Sequence, residues 1–429
     1  MYPNLYYVLK DWFNVEWKKL EFLNTFGLMV AISFVIAAMV LNSELKRKEK
    51  QGLLTPREET IEVGKPASFS ELLVNGLFGF LFGYKLIGLL FTKSVQIPAQ
   101  EYIFSASGSI LGGLIVAAVL VGVKWREKDK QRLKEPERRS VRIWPHDRVG
   151  DIIILGLIFG IVGAKLFDNL ENWDEFIKDP VGRLFSASGL TFYGGLIMAS
   201  AAICWYAYKK GIKLTHLVDA AAPALMIAYA MGRIGCQLSG DGDWGIYNSA
   251  YVSDGVKSVK EANAGDFDQH IKANTTYYLT EGTGILKPDS TIVVKHAYFK
   301  APSFLPKWMV AYTYPQNVNK NGVPIPGCTD EHCNVLPQPV FPTPFYETIM
   351  CSLLFLLLWS IRKKIKTPGV IFGIYLILNG IERFFIEKIR VNTTYSILGF
   401  HPTQAEIISS FLVIIGLLFL IKFKKTSKI

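Results

Sequence analysis

The sequence carries little charge for its length. Charged residues make up 19% of the 429 residues, apolar residues make up 50%, and the mean hydropathy is +0.26. Soluble domains usually contain about 25% charged residues, so this composition excludes an ordinary soluble protein. A cleavable signal peptide is also missing, because residues 1–21 carry three lysines among aromatic side chains and no short apolar core. We interpret this arm as an amphipathic helix at the membrane interface.

Long apolar runs are abundant instead. Nine of them approach or reach the roughly 18–20 residues that cross about 30 Å of hydrocarbon. They lie at about 22–42, 72–91, 108–123, 150–167, 189–207, 217–238, 344–361, 369–388 and 404–421. We therefore predict an all-α polytopic membrane protein with about nine transmembrane helices.

The net charge of +11 alternates along the chain with these runs. A total of 27 Lys and Arg residues lie in 43–70, 124–148, 208–216, 362–367 and 422–429, whereas the alternate short connections hold four. Cytoplasmic loops carry the positive excess of membrane proteins, so we predict an N-terminus outside and a C-terminus in the cytoplasm. Termini on opposite sides of the membrane require an odd number of spans, and nine spans meet this requirement. Because the basic runs alternate with spans, we do not expect nucleic-acid binding.

The polar stretch 246–341 interrupts the apolar pattern and is predicted to lie outside the membrane. Its Asn, Gly, Pro and Tyr content is typical of a small β-rich or irregular extracytoplasmic insertion. It separates the first part of the membrane domain, residues 1–245, from a last part of three helices, residues 342–429.

Cysteine is scarce, with five residues in the chain. Cys328 and Cys333 lie in the insertion, where a local disulfide is our first interpretation. A metal pair with His332 and two unpaired thiols are the alternatives. The remaining three fall in apolar runs and are expected to be buried small residues: Cys204, Cys236 and Cys351.

An internal repeat relates residues 72–124 to residues 150–208. The segment from Gly76 to Leu86 matches the segment from Gly156 to Leu166 at an offset of 80. Phe-Ser-Ala-Ser-Gly recurs at 104–108 and 185–189, and Gly-Gly-Leu-Ile recurs at 112–115 and 194–197. We interpret the two segments as duplicated helical hairpins, with chance similarity among glycine-rich spans as the alternative. Each copy places a lysine, Lys85 or Lys165, inside a span, where a charge is costly unless the side chain snorkels.

Two polar clusters lie within or at the edge of apolar runs. The segment Gly232–Gly245 combines Arg233 with two carboxylates and five glycines, which favours a site that holds an anion at the bilayer surface. In the eighth run and just after it, one helix face carries Asn379, Arg383, Glu387 and Arg390, with Glu382 beside them. Either Arg383 pairs with Glu387 and joins helices, or Arg383 joins Arg233 around a phosphate. Arginine suits the second role because its planar fork donates paired hydrogen bonds to phosphate oxygens.

These clusters belong to four motifs that occur in one order. The motifs are Gly-Leu-Thr-Phe-Tyr-Gly-Gly-Leu at 189–196, Gly232-Arg233-Ile234-Gly235 with Gly240-Asp241 and Gly245, Pro-Thr-Pro-Phe-Tyr-Glu at 342–347, and Gly-Ile-Glu-Arg-Phe-Phe-Ile-Glu at 380–387. In this order and spacing the chain resembles the bacterial prolipoprotein diacylglyceryl transferases from about residue 22 to 421, outside the first hairpin and most of the insertion.

The resemblance implies a reaction and its partners. The diacylglyceryl group of phosphatidylglycerol would move to the lipobox cysteine thiol of a preprolipoprotein, with release of glycerol 1-phosphate. The lipid and the signal peptide would reach the site laterally between helices, in the bacterial inner membrane. No metal or organic cofactor is required.

The resemblance also implies site residues. Arg233 and Arg383 match the family's two arginines and would stabilise the charge of the leaving phosphate. The thiol must lose its proton to become nucleophilic, and the candidate acceptors are Asp241, Tyr193 and Glu387. Substrate-binding residues are expected at motif positions Arg233, Ser239, Gly240, Gly245, Gly194, Gly195, Asn379 and Tyr346.

Several positions depart from the family's motifs. The usual Asn, Phe, Asn and Glu are replaced by Cys236, Gln237, Ser239 and Asp241, and expected tyrosines are replaced by Phe26 and Asn379. Tyr193 stands where many members carry a histidine; because an unperturbed tyrosine has a pKa of about 10, that histidine's role as a base does not transfer. A membrane lipid or anion transporter and an inactive scaffold homologue remain alternative functions.

Overall fold

The structure is a computed structural model that describes residues 1–91, 102, 105–186, 189–254, 258–288, 291–391, 395 and 400–426. The chain forms two compact units, one of Met1–Glu44 with Thr215–Ile429 and the other of Leu45–Leu214. Five residues on which the sequence predictions rest lie outside these ranges: Lys93 and Lys428 among the basic residues counted in the connections, and Phe104, Ala187 and Ser188 in the repeated motif.

Helices account for most of the described chain. Each of the nine predicted runs contains a long helix: α2 Thr25–Lys50, α3 Phe69–Phe91, α4 Ile110–Lys130, α5 Val149–Glu171, α8 Phe192–Lys209, α9 Leu214–Ser239, α12 Thr343–Ile361, α13 Val370–Lys388 and α14 Gln404–Thr426. The shorter helices are α1 Leu5–Phe13, α6 Trp173–Lys178, α7 Pro180–Phe185, α10 Asp266–Ala273 and α11 Thr275–Thr280. A helix satisfies its backbone polar groups internally, which is why apolar runs in lipid fold this way.

Among the described residues, six helices are long and apolar enough to cross a membrane. They are α2, α3, α5 with the turn before it, α9, α12 and α14. The other three predicted runs are helical, but α4 ends in the charged segment 124–130 and α13 contains the second polar cluster. The structure therefore supports a mostly helical membrane protein, while the count of nine spans and the orientation stay predictions.

The two repeated hairpins in the unit Leu45–Leu214 have the same packing. Helices α3 and α4 are so close that a Cβ on Gly83 would lie 2.6 Å from the carbonyl oxygen of Gly112. In the pair α5 and α8, a Cβ on Gly163 would lie 2.5 Å from the carbonyl oxygen of Gly194. The four glycines occupy matching positions of the repeat, so the close helix contact is common to both copies. That the hairpins arose by duplication stays a prediction.

The lysine of each repeat holds the loop that joins its two helices. Lys85 Nζ donates to the carbonyl oxygens of Tyr102 and Ser107 at 2.8 and 3.0 Å, and it also contacts that of Ser105. Lys165 Nζ donates to Ser186 Oγ at 2.7 Å, and Ser186 matches Ser105 in the repeat. Loop oxygens thus compensate for burial of the charge, so snorkelling alone does not explain these lysines.

Strands are short among the described residues. In the second unit, β1 Arg57–Val63 pairs antiparallel with β2 Glu137–Ile143, with Arg57 opposite Ile143. The insertion contains β3 Tyr247–Asn248, β4 Tyr251–Ser253, β5 Val259–Glu261, β6 Gly284–Leu286, β7 Ile292–Val294, β8 His296–Ala297, β9 Val323–Pro324 and β10 Asn334–Val335. These form four two-stranded sheets, of which only β3 with β8 is parallel. The described part of the insertion is therefore largely irregular, which is the second of the two predicted possibilities, a β-rich or an irregular insertion.

The arm before α2 packs on the insertion through α1. The ring of Tyr7 lies 5.8 Å from the ring of His332, and Lys10 Nζ lies 3.1 Å from Asp330 Oδ2. Cys328 and Cys333 form a disulfide around these residues, which confirms the first interpretation and excludes a cysteine metal pair.

The free cysteines follow the prediction in two of three cases. Cys236 and Cys351 are buried, as expected for small residues in spans. Cys204 is only half-buried, so its predicted burial is wrong.

Helices α9, α12 and α13 form the apolar interior beneath the second polar cluster. Buried side chains from all three pack together, including Met226, Cys351 and Ile371. Asp219 on α9 accepts hydrogen bonds from the backbone N–H groups of Gly369 and Phe372 at 2.8 and 3.0 Å. This carboxylate caps the N-terminus of α13 and fixes that helix against α9.

Candidate functional site

Arg233 lies near the C-terminal end of α9 and contacts two carboxylates. Its Nε is 3.1 Å from Glu347 Oε2, and its Nη1 donates to Asp243 Oδ2. One turn earlier on α9, the ring of Tyr229 lies 5.2 Å from the Arg233 guanidinium carbon. Because the guanidinium is planar, this ring and the two carboxylates fix its orientation as well as its charge.

Glu347 links the two arginines predicted from the sequence. It lies in the first turns of α12, its side chain is 0% exposed, and Oε1 accepts from Tyr229 Oη at 2.9 Å. Arg383 Nη1 donates to the same oxygen at 3.2 Å. The carboxylate thus stands between Arg233 on α9 and Arg383 on α13.

Arg383 also pairs along its own helix. Its Nη2 lies 3.3 Å from Glu387 Oε2, which is the i,i+4 pair predicted as one alternative. Arg383 and Arg233 also share the carboxylate of Glu347. The second alternative, in which both arginines bind a phosphate, stays a prediction.

A third arginine completes the cluster through Asp243. Arg390 Nη2 donates to Asp243 Oδ1, while Arg233 occupies Oδ2. Burial alone would raise the pKa of Asp243, but Arg233 and Arg390 together lower it below its ordinary value. Asp243 is therefore an ionised bridge between two guanidinium groups.

The backbone around Gly245 holds this bridge in place. Gly245 pairs with Arg390 in an antiparallel bridge, and the N–H of Ile246 donates to the carbonyl oxygen of Ile389 at 2.9 Å. A Cβ on Gly245 would lie 2.7 Å from that same oxygen. Glycine is therefore required for close approach of the two chain segments, which accounts for Gly245 without a substrate contact.

Asp241 contacts neighbours different from those of Asp243. Its Oδ1 accepts from the N–H of Asp243 at 3.4 Å, and its carboxylate faces the Cys236 thiol. Burial and the negative charge of Asp243 raise the pKa of Asp241. The pKa values of Asp241 and Asp243 thus shift in opposite directions, because of the two only Asp243 contacts the arginines.

Cys236 lies between these groups. Its Sγ is 3.7 Å from Arg233 Nη1 and 3.8 Å from Asp243 Oδ2. The ligand-type atoms of Cys236, Asp241 and Asp243 lie within 4.8 Å of one another, a spacing that could hold a metal ion. Two guanidinium groups already supply positive charge at Asp243, so the trio fits the arginine cluster better than a cation site.

Four other predicted substrate-binding residues lie on α9, α12 and α13 or in the turn that ends α9. Ser239 is buried, and its Oγ donates to the carbonyl oxygen of Gly235 at 2.9 Å in its own helix. Gly240 has a φ of +67° in the turn that ends α9. Tyr346 Oη donates to the carbonyl oxygen of Met309 in the insertion at 2.5 Å. Asn379 is half-buried on α13, one turn before Arg383. Their roles in substrate binding stay predictions.

Tyr193, Gly194 and Gly195 belong to the other compact unit, at the start of α8. The ring of Tyr193 packs edge-on against that of Phe192, with centroids 5.6 Å apart. A Cβ on Gly195 would lie 2.8 Å from the carbonyl oxygen of Gly160. Helix packing against α5 therefore explains the two glycines.

Four residues of the cluster were not selected as site residues from the sequence. Two of them are visible in the sequence, because Glu347 is the last residue of the motif at 342–347 and Arg390 lies on the helix face of Arg383. Asp243 is the second carboxylate of the segment Gly232–Gly245, in which Asp241 was the predicted one. For Tyr229 the sequence offers only its position one helical turn before Arg233. The additional residues are Tyr229, Asp243, Glu347 and Arg390.

The fold and the site define a class of protein: a helical membrane protein with arginines and carboxylates buried together at one end of its helices. The family model of the prolipoprotein diacylglyceryl transferases matches residues 110–422, and the chain belongs to that family. The phosphatidylglycerol–prolipoprotein diacylglyceryl transferases of Streptococcus pyogenes serotype M5 (strain Manfredo) and serotype M1 are each 26% identical over 319 residues. The match covers 73% of this chain and 88% of each relative. The resemblance drawn from the sequence motifs is thereby confirmed.

Proposed function

We propose that this chain transfers the diacylglyceryl group of phosphatidylglycerol to the lipobox cysteine thiol of a prolipoprotein and releases glycerol 1-phosphate. Family membership supports the activity. The observation that carries the chemistry is the position of Arg233 and Arg383, both of which contact the single carboxylate of Glu347.

The two arginines stabilise the phosphate as it leaves. At rest their charges are balanced by Glu347, Asp243 and Glu387. A guanidinium has five N–H donors, and the contacts with carboxylates engage two nitrogens of each arginine. The remaining N–H donors of the two arginines can bind phosphate oxygens without loss of the ion pairs to these carboxylates. Charge that develops on the phosphate then meets donors that are already oriented.

Asp241 is the group that accepts the thiol proton. Its raised pKa gives it more basic character than an ordinary aspartate, whereas Asp243 is held ionised by two arginines. Proximity of the Cys236 thiol to both carboxylates supports the view that a second thiol fits beside them. In the reaction the S–H proton passes to Asp241, sulfur forms a bond to the glyceryl carbon, and the C–O bond electrons pass to the phosphate.

The chain does this work in the bacterial inner membrane, with its N-terminus outside and its C-terminus in the cytoplasm. The alternation of basic connections supports this orientation. The cluster then lies at the outer ends of α9 and α13, and the signal peptide of the prolipoprotein reaches it laterally through the bilayer.

Transfer of label tests the proposal. Purified protein is incubated with phosphatidylglycerol labelled in its diacylglyceryl glycerol and a lipobox peptide, and the peptide is examined for a labelled thioether. A peptide with serine in place of the lipobox cysteine is the control and should stay unlabelled. Absence of transfer by folded protein would overturn the enzyme assignment and leave the transporter or scaffold alternatives.

A further inference from the structure

A groove lies between the C-terminal end of α13 and the N-terminal end of α14, away from the arginine cluster. Its volume is about 470 Å³. Its length is lined by apolar side chains from both helices, among them Phe384, Phe411 and Ile414. Its rim carries the polar side chains Lys388, His401 and Glu406. The groove is thus apolar along its length and charged at one end.

The medium around this groove is lipid. Helix α14 is one of the six that are long and apolar enough to span a membrane. Phe411 and Ile414 are 59% and 51% exposed, and exposed apolar side chains on a spanning helix face acyl chains. A groove lined by such residues fits an acyl chain better than the polar segment of a protein.

The charged side chains at the rim favour a lipid whose head group carries a phosphate. Lys388 Nζ lies 2.5 Å from Glu406 Oε1, yet its side chain remains 55% exposed, and an ammonium group has three donors. Lys295 is close enough to Glu406 to interact with it electrostatically, and His401 is exposed beside it. Lys388 at the rim and Lys295 beyond it thus stand against the one carboxylate of Glu406, and this excess of positive charge is complementary to an anionic head group.

The groove and the arginine cluster lie at the same height on α13. Phe384 and Lys388 directly follow Arg383 and Glu387 in the sequence, so each pair is separated by about 100° around the helix. A lipid with its phosphate beside Lys388 would therefore carry it at the level of Glu387, about one helical turn beyond Arg383 and on a neighbouring face of α13.

We propose that this groove is a waiting site for phosphatidylglycerol, which is bound there before it passes around α13 to the arginine cluster. The inference rests on the proposed function, since it assigns the site to the lipid that the reaction consumes. The occupant is the anionic lipid rather than a zwitterionic one because the rim is cationic.

Binding and kinetics test the proposal separately. Ser410 lines the groove, and Ser410→Trp should fill it. Leu418→Trp, about two turns further along α14 at a position that is 58% exposed, is the matched control. In vesicles with phosphatidylglycerol diluted into phosphatidylethanolamine, we expect Ser410→Trp to raise the KM for phosphatidylglycerol about tenfold with kcat unchanged, and Leu418→Trp to match the wild type.

Native mass spectrometry of the full chain supplies a readout that does not need activity. The wild type should retain phosphatidylglycerol in preference to phosphatidylethanolamine, and Ser410→Trp should retain one phosphatidylglycerol fewer. Lys388→Gln, which keeps the groove open if the tryptophan variant does not fold, should abolish the preference. An unchanged KM with unchanged lipid retention in Ser410→Trp would overturn the waiting site, and equal retention of both lipids by the wild type would overturn its assignment to phosphatidylglycerol. Failure of label transfer by the wild type would instead overturn the proposed function.

Discussion

Glu347 Oε1 lies 3.2 Å from Arg383 Nη1 in a position where the Glu347 side chain is fully buried. The other oxygen of this carboxylate lies 3.1 Å from Arg233 Nε. One acidic residue therefore holds two arginines from different helices near each other before any phosphate is present. The cluster is assembled around an internal anion. In the proposed reaction, a substrate phosphate would join donors that are already oriented.

The arginine variants test the phosphate-binding role. Arg233→Ala and Arg383→Ala should each reduce kcat by at least about 100-fold, the usual effect of removing a donor that stabilises a developing anion, while the protein still inserts in the membrane. Arg142→Ala is the matched control, because Arg142 pairs with Glu58 at 3.2 Å on the exposed sheet of β1 and β2, and surface pairs contribute little. Wild-type transfer rates in either cluster variant would refute the assignment.

Glu347→Gln tests the internal anion. The change keeps the shape of the side chain but leaves two buried guanidinium groups without a shared counterion, and breaking a buried pair costs about 3–5 kcal/mol. We expect a lower melting temperature and a higher KM for phosphatidylglycerol. Glu58→Gln, at a side chain that is 62% exposed, should change neither quantity. A Glu347→Gln protein with wild-type stability and KM would show that the carboxylate does not position the arginines.

The pH dependence of the reaction distinguishes the two aspartates. Asp241 has a raised pKa, so its basic form appears only as the pH rises above the ordinary value of about 3.9, and kcat/KM should rise with pH through that raised pKa. Asp241→Asn should remove this ascending limb and lower the rate about 100-fold or more, as loss of a general base does. An unchanged profile in Asp241→Asn would exclude Asp241 as the proton acceptor.

Asp243 should behave differently in the same measurement. Its pKa is lowered, so it stays ionised throughout the working range and contributes stability that is lost only as the pH falls through its folded-state value. Asp243→Asn should therefore weaken lipid binding and stability at neutral pH without moving the ascending limb. The stability difference from the wild type should begin to shrink as the pH falls below about 3.9, where the unfolded carboxyl becomes protonated, and should be lost below the lower folded-state pKa, where both states are protonated.

Helix packing in the second hairpin gives a glycine test. A Cβ on Gly163 would lie 2.5 Å from the carbonyl oxygen of Gly194, whereas a Cβ on Gly160 would have open space. Gly163→Ala should therefore destabilise the protein, while Gly160→Ala should be neutral or stabilise it by about 0.5–1 kcal/mol through helix propensity. Thermal unfolding of the two variants in the same detergent makes the comparison. Equal stability would show that α5 and α8 do not depend on this contact.

The sequence predicted the helices and the two arginines because both signals are local. Apolar run length predicted all nine long helices, and helical spacing placed Arg383 beside Glu387. Asp243 was not predicted as a site residue because its contacts with Arg233 and Arg390 depend on the turn that begins at Gly240, where φ is +67°. Glu347 was not singled out because the whole insertion separates it from Arg233, and only the packing of α9 against α12 brings them together. The count of nine spans stays a prediction, because α13 combines the length of a span with a polar cluster that lowers its apolarity.

Cysteine labelling tests the orientation, on which the side of the membrane that holds the site depends. Lys130 and Lys287 are exposed, the first at the end of α4 and the second in the insertion. In a background with the three free cysteines replaced, Lys130→Cys should react with a membrane-impermeant maleimide only after the cytoplasmic side is opened, and Lys287→Cys should react in intact cells. The reverse pattern would place the insertion and the arginine cluster in the cytoplasm. A lipobox cysteine that has emerged on the outer side of the membrane could not then reach Arg233 or Arg383, so the reverse result would contradict the proposed reaction as well as the topology.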